Sequence, residues 1–281
     1  MNSKIQSIIG TIDNLKASGD VMQLRQPNDG IVRFGFQNIH SLDQLQANKL
    51  PEELLVVESL GINVCGYVEI NKPWTAENKH LFQLNMDNLF DNQNSTAYAS
   101  MPFNYETKYQ PGGVMQTVIG STAGRKMDHG TDKYGRFAWH TLRGARDEGI
   151  LVISCYRVSQ TSINGIGVNT AYMQQHTAMT KDGVHRPNPR KQIFTDLVKV
   201  IKEKRKEGYR PILMLDANAT PFTDEEFRNF ISEASLVDPY YTRFNEMPKT
   251  YNRGNKRLDY ILRSEERRVG KECRSRWSPY H

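Results

Sequence analysis

Between residues 96 and 156 four strand-like segments follow one another with no helical pattern between them. Such a block of consecutive strands, with helices to cover its outer faces, suggests stacked sheets in one domain. The segments lie at 96–101, 113–120, 136–143 and 149–156, and turn-forming residues bound each of them. The last two flank a tight turn sequence at 144–149, as in a hairpin. On either side of this block strands and helices alternate. Ahead of it, Val32, Phe34 and Phe36 alternate in a strand over 31–39, and 51–60 is helical with Pro51 at its start. A second strand covers 64–70 (VCGYVEI), and 75–90 is a helix capped by Thr75, with Phe82, Met86, Leu89 and Phe90 at helical spacing. After the block, a loop over 159–170 leads to helices at 171–180 and 190–207, a buried strand at 211–215, a helix at 224–234 and a strand at 257–262. Ile193, Phe194, Leu197, Val198 and Ile201 form one apolar stripe on the longest of these helices. This order predicts an α+β domain, a four-layer α/β/β/α sandwich of two stacked mixed sheets flanked by helices. The chain is long enough to bury the core that such a sandwich needs.

The two ends of the chain differ from this pattern. Residues 1–30 are a polar leader with one short apolar patch, Ile5, Ile8 and Ile9, and they lack the charged start and long apolar centre of a secretory signal. Residues 263–281, RSEERRVGKECRSRWSPYH, match the in-frame translation of a common sequencing-library adapter and are set aside as a non-native tail. The domain is therefore expected over 31–262. The tail carries six Lys or Arg and three Glu, so half of the net charge of +6 lies in it. Overall charge is then no strong argument for a polyanionic partner. No run of 18 apolar residues exists, which excludes a helical membrane span. Cys65, Cys155 and Cys273 are odd in number and widely spaced, the pattern of reduced thiols in an intracellular compartment, cytoplasm or nucleus.

The chemistry-bearing residues sit at strand ends. Asn38 follows the first strand, Glu69 the second, Asp216 and Asn218 follow PILML, and Asp259 lies within KRLDYIL. A side chain just beyond an apolar strand is rigidly held and points to the rim of the sheet, where a site can form without burying an unpaired charge. One such acid is as readily a turn former or a cap. Four strands that end this way in one domain supply hard oxygen donors, which suit Mg²⁺ or Mn²⁺ and not zinc. Other segments read as structural. GSTAGRK at 120–126 has the wrong spacing for a phosphate loop and is a turn. Asp128-His129 belongs to a surface loop, His140 is a packed or surface strand residue, and the basic run at 199–210 is a solvated helix face. Tyr240 and Tyr241 pack in a core or loop rather than stack on bases.

Taken in order, these residues resemble the endonuclease/exonuclease/phosphatase superfamily. That group includes DNase I, apurinic/apyrimidinic and retrotransposon endonucleases, sphingomyelinases and inositol polyphosphate phosphatases. Its first strand ends in Asn, here Gln37-Asn38, and its next in a metal-binding Glu, here Glu69 within VEINKPW. Its Gly-Asp-Phe-Asn is here Leu215-Asp216-Ala217-Asn218, and its Arg-hydrophobic-Asp-Tyr is here Arg257-Leu258-Asp259-Tyr260. A Tyr ends a middle strand, here Tyr156. The resemblance covers 31–262, and Arg-Leu-Asp-Tyr is its most specific piece. The stretch 109–156 more narrowly resembles retroelement-associated endonuclease-like reading frames, which favours DNA as the partner.

The resemblance implies a DNase I-like fold and a Mg²⁺- or Mn²⁺-dependent phosphodiester hydrolase, a DNA endonuclease of retroelement or apurinic/apyrimidinic type. By the same resemblance Glu69 binds the metal with Asn38 beside it, and Asn38 orients the metal's ligands or a phosphate oxygen. Asp216 is the general base, Asn218 positions the attacking water, and Tyr156 hydrogen-bonds a phosphate oxygen. Asp259 orients a histidine on the scissile phosphate. Three features depart from the family. Gly-Asp-Phe-Asn has become Leu-Asp-Ala-Asn. Arg157 follows Tyr156, where Pro or a polar residue is usual. The closing Ser-Asp-His and its strand are missing from 31–262, which implies activity at least about 10²-fold below a complete enzyme and an exposed sheet edge. Two alternatives stand beside this reading: a hydrolase of the same fold acting on lipid, inositol phosphate or RNA, and a non-catalytic binding or scaffold domain.

Overall fold

The structure is a computed structural model that describes residues 31–42, 49–90, 93–101, 110–144, 148–160, 162–164, 167–250 and 254–265. The polar leader and residues 266–281 of the tail lie outside the described residues. The chain forms strand β1 (Phe34–Asn38), helix α1 (Lys49–Ser59), β2 (Val64–Val68), α2 (Ala76–Phe90), β3 (Asn94–Ala99) and β4 (Val114–Ile119). A 3₁₀ turn, Gly120–Arg125, precedes β5 (Lys126–Thr131), β6 (Phe137–Arg143) and β7 (Gly149–Tyr156). Then come α3 (Ala171–Lys181), α4 (Pro189–Lys206), β8 (Tyr209–Asp216), α5 (Glu225–Glu233), β9 (Leu236–Val237), α6 (Pro239–Phe244) and β10 (Asp259–Ser264). The first sheet has the order β1-β2-β4-β3 and the second β5-β6-β7-β8-β10-β9. Each is mixed and contains one parallel pair, β1/β2 in the first and β7/β8 in the second.

Side-chain alternation along the strands builds the four layers. On the first sheet, Cys65, Tyr67 and Met115 face outward onto Leu54 and Val57 of α1 and Phe82 and Met86 of α2. On the second, Leu151, Ile153, Leu213, Leu215, Tyr260 and Leu262 face outward onto the apolar stripe of α4 and onto Phe227 and Phe230 of α5. The opposite faces meet each other. Val64 and Val118 of the first sheet pack on Leu142, Val152 and Met214 of the second. Val68, Ala97 and Val114 share a further cluster with Ala138 and Tyr156. The sheets approach closely at Gly66, where a Cβ would collide with Ser154 Oγ, so a side chain there would force the layers apart.

The predicted sandwich is present, with local differences. Residues 126–131 (KMDHGT), which include Asp128 and His129, form an edge strand and not a loop. Its side chains are nearly all exposed, so it lacks the half-apolar alternation by which a strand is recognised. Tyr240 and Tyr241 lie on the short helix α6, started by the Asp238 cap and Pro239. The last strand runs two residues beyond the expected end at Leu262: Arg263 and Ser264 pair with Val237 and Leu236, so β9 covers that part of the edge. Both Cys65 and Cys155 are buried free thiols. No helix among the described residues is long and apolar enough to cross a membrane.

His140 is a packed residue between the sheets. Its Nδ1 lies 2.8 Å from Gln116 Oε1, an acceptor, so that nitrogen carries the proton. Gln116 Nε2 donates to Ser154 Oγ at 2.8 Å, and Ser95 Oγ is 3.4 Å from His140 Nε2. Burial, then the nearby His129 and Lys126, push its pKa down to about 3. A folded-state value below the unfolded one gives stability that is present above about pH 6.5 and lost as pH falls toward the folded value. Urea titrations between pH 6.5 and 4.5 should show the wild type losing up to about 1.4 kcal/mol per pH unit more than His140→Gln. Equal slopes for the two proteins would exclude His140 as the source.

Candidate active site

The parallel pairs of the two sheets bring their carboxyl ends to one place. In the first sheet Asn38 stands opposite Val68 in the register, and Glu69 follows at once. Beyond β1 and β2 the two chains stay bonded: Ile39 N, Ser41 N and Leu42 N donate to the carbonyls of Val68, Glu69 and Ile70 at 3.2, 2.8 and 2.9 Å. Glu69 and Asn71 both take positive φ, 52° and 53°, a conformation that non-glycine residues rarely adopt. Asn71 is held there by Gly112, whose N–H donates to Asn71 Oδ1 and whose carbonyl accepts from Asn71 N, each at 2.7 Å.

In the second sheet three site residues form a row. Tyr156 of β7 is the register partner of Asp216 of β8, and Asp216 is the register partner of Asp259 of β10. Neighbours in register point to the same face, and here that is the face turned to the first sheet. Asn38 closes the gap between the sheets, since its Nδ2 donates to Asp216 Oδ2 at 3.0 Å. Asn218, at φ 47°, donates its N–H to Asp216 Oδ1 at 3.1 Å and its Nδ2 to Arg157 O at 2.7 Å. The structure thus gathers Asn38, Tyr156, Asp216, Asn218 and Asp259 at the joined strand ends, with Glu69 one residue past Val68.

The electrostatics of this rim follow from burial. Asp216 is only 4% exposed, and its pKa is raised to about 8 by burial and then by the Asp259 and Glu69 charges, against the hydrogen bonds from Asn38 and Asn218. Burial also raises Asp259, with Thr250 and Arg257 acting against it and Glu69 with it. Asp259 Oδ1 is buried with no hydrogen-bond partner. Glu69 is more open, 21% exposed, with His40 Nδ1 3.3 Å from its Oε2. A cluster short of positive charge, with an orphaned carboxylate oxygen, fits a hard cation held through one or two carboxylates and water. Among the described residues no three His, Cys, Asp or Glu side chains form a metal cage by themselves.

Several supporting residues gave no sign in the sequence that they would be buried. Arg157 is fully buried and Arg190 nearly so. Arg257 is buried too, and its guanidinium grips Asp238 at 2.6 and 3.2 Å while its Nε donates to Asp259 O at 3.2 Å. Tyr260 donates to Arg257 O at 2.9 Å or Ala219 O at 3.2 Å, which ties β10 to the loop after β8. Within Arg-Leu-Asp-Tyr, Arg257 and Tyr260 therefore serve as braces and Asp259 faces the site. Thr250 Oγ1 accepts from the N–H groups of Leu258 and Asp259. His40 was equally silent, an exposed histidine in a turn.

An α/β/β/α sandwich of two mixed sheets, with polar residues gathered at its strand ends, is the DNase I-like fold of the endonuclease/exonuclease/phosphatase proteins. Solved structures bear out the fold. The human Nocturnin catalytic domain is 16% identical, with 83% of this chain and 82% of that one covered at a TM-score of 0.55. The AP endonuclease LMAP from Leishmania major is 14% identical over 94% and 91% at 0.54. The 3′ phosphatase NExo from Neisseria, bound to product DNA hairpin, is 13% identical over 84% and 87% at 0.53. No family model and no curated protein matches the sequence.

A carboxylate whose folded-state pKa lies above the unfolded value stabilises the fold below about pH 4, and that contribution is lost as pH rises to about 8. Asp216→Asn should therefore raise the thermal midpoint by several degrees at pH 8 in the presence of a chelator, and the gain should vanish near pH 4. A variant less stable than the wild type at pH 8 would contradict the assigned burial of charge.

Proposed function

We propose that this chain is a Mg²⁺- or Mn²⁺-dependent phosphodiester hydrolase acting on DNA, an endonuclease of the apurinic/apyrimidinic or retroelement type. The observation that carries the reading is the row Tyr156, Asp216, Asp259 on one sheet, bonded across to Asn38 on the other. The donor chemistry supports Glu69 and Asn38 as the residues that hold the ion. When bound, the ion neutralises phosphate charge and stabilises the leaving oxygen. Asp216 takes the proton of the attacking water. A carboxylate with a pKa of about 8 is a stronger base than an ordinary one and matches its task near neutral pH. Asn218, fixed by Arg157 O, orients that water, and the Tyr156 hydroxyl donates to a phosphate oxygen. Asp259 presents a buried Oδ1 with no hydrogen-bond partner to the same rim, placed to orient a donor on the scissile phosphate.

DNA is favoured because the Leishmania relative is named as an AP endonuclease and the Neisseria one binds a product DNA hairpin. A cavity of about 520 Å³ beside Asn218, lined in part by Thr220, Thr223, Asn255 and Lys256, offers polar groups for a sugar-phosphate backbone.

The test is nicking of supercoiled plasmid, with and without abasic sites, by the full chain in Mg²⁺ or Mn²⁺. Nicking should appear with metal, stop with chelator, and fall about 10²- to 10³-fold in Glu69→Gln and Asp216→Asn. Cleavage confined to RNA, a phospholipid or an inositol phosphate would move the substrate within the same chemistry. No cleavage of any of these at any metal concentration would leave a binding domain as the reading.

A further inference from the structure

Behind the Asp216–Asn218 turn lies a second charged cluster, of which Arg190 and Asp224 reach the wall of the cavity beside Asn218. The Arg157 guanidinium is fully buried, stacked 4.3 Å from the Phe194 ring centroid. Its Nη1 donates to Asp224 Oδ2 at 2.8 Å and to Ala217 O at 3.5 Å, and its Nε to Arg190 O at 2.9 Å. Arg190 sends Nη1 to Val158 O at 2.6 Å and Nη2 to Asn218 O at 2.9 Å and Asp224 Oδ2 at 3.1 Å. Asp224 Oδ1 meanwhile caps α5 through Phe227 N at 2.9 Å. Two guanidinium forks, bridged by one carboxylate, thus hold the carbonyls of Ala217 and Asn218. These two residues follow Asp216, and the second has a left-handed backbone.

We infer that Arg157 and Arg190, joined through Asp224, are positioning residues that fix the Asp216–Asn218 turn. This rests on the reading of Asp216 and Asn218 as the groups that handle the attacking water. A planar fork with several donors can hold two carbonyls and a carboxylate at once, whereas a lysine ammonium is a single point of charge. Replacement of Arg190 by Lys therefore keeps the charge and frees the Asn218 carbonyl. A displacement of the order of 1 Å at such a turn costs about 10²-fold in turnover.

The experiment compares the wild type, Arg190→Lys, Arg190→Met and Glu226→Gln. Glu226 is a half-exposed partner of Arg157 at 3.2 Å and holds neither the Ala217 nor the Asn218 carbonyl, so it controls for the simple loss of an ion pair. In Arg190→Lys the kcat for plasmid nicking should fall about 10²-fold with KM within about threefold, well below the thermal midpoint. Hydrogen exchange at the Asn218 amide should quicken at least about tenfold in the same variant and stay unchanged in Glu226→Gln. Arg190→Met should repeat both changes, and Lys serves if Met does not fold. Wild-type exchange at Asn218 in folded Arg190→Lys overturns the inference, as does Glu226→Gln behaving like Arg190→Lys. Faster exchange in a chain whose wild type cleaves nothing keeps the positioning role and removes the catalytic reading.

Discussion

A single buried carboxylate, Asp216, is shared by two sheets, and the site depends on how its charge is tolerated. It projects from the second sheet into the interface between the layers and receives its side-chain hydrogen bond from Asn38 of the first. A charge so placed disfavours the fold unless dipoles or counter-charges meet it. The separation of the layers is therefore part of the electrostatics. Gly66 lets the sheets close on Ser154, and the His140–Gln116–Ser154 chain links them within the interface. With the layers held close, Asn38 reaches Asp216. Were they held further apart, that hydrogen bond would be lost and the carboxylate would take a proton or water.

Two aspartates eight residues apart show how environment divides roles. Asp216 is pushed up by burial and by neighbouring carboxylates. Asp224 is also opposed by burial, yet Arg157, Phe227 N and Arg190 hold it below the usual carboxylate range. One carboxyl has its proton affinity raised and the other has its donors supplied and its proton affinity lowered. Such a divergence of environments is what the proposed base and its support require. Strain follows the same division. His40, Ser41, Glu69, Asn71 and Asn218 all take positive φ around the strand ends, each at a cost of about 1–3 kcal/mol. The apolar layers and the arginine cluster offset that cost.

The sandwich was legible because its causes are local. Period-two alternation at Val32, Phe34 and Phe36 and the 3.6-residue stripe of α4 each name a face, and faces dictate layers. The site was legible for a narrower reason: polar residues that interrupt apolar runs, such as Asp216 after PILML, stand out against their neighbours. Its support was not. Arg157 reads as an ordinary loop residue and Arg190 as the start of a basic helix, and their burial arises only when four elements meet at Asp224. Edge strand β5 escaped notice because it has no apolar face to give it a period, and β9 because two residues are too few to carry one. The boundary at Leu262 was read from the match of 263–281 to an adapter translation, whereas the strand continues to Ser264 through backbone bonds that any residue can make.

The layout also explains why one architecture can serve different substrates. On the proposed reading the reacting groups Tyr156, Asp216 and Asp259 are fixed by strand register, and no loop needs to move for them to stay in a row. The cavity beside Asn218 is instead lined by the segments 218–224 and 254–258, which lie outside the regular strand register apart from their anchoring bonds. The proposed function thus places chemistry on the rigid part of the molecule and recognition on its connecting segments. The Asp216 proton affinity is set by burial and by neighbouring carboxylates on the strands, and residues 254–256 take no part in it. Specificity and reactivity are then separable by position, because only the second requires the two sheets to meet.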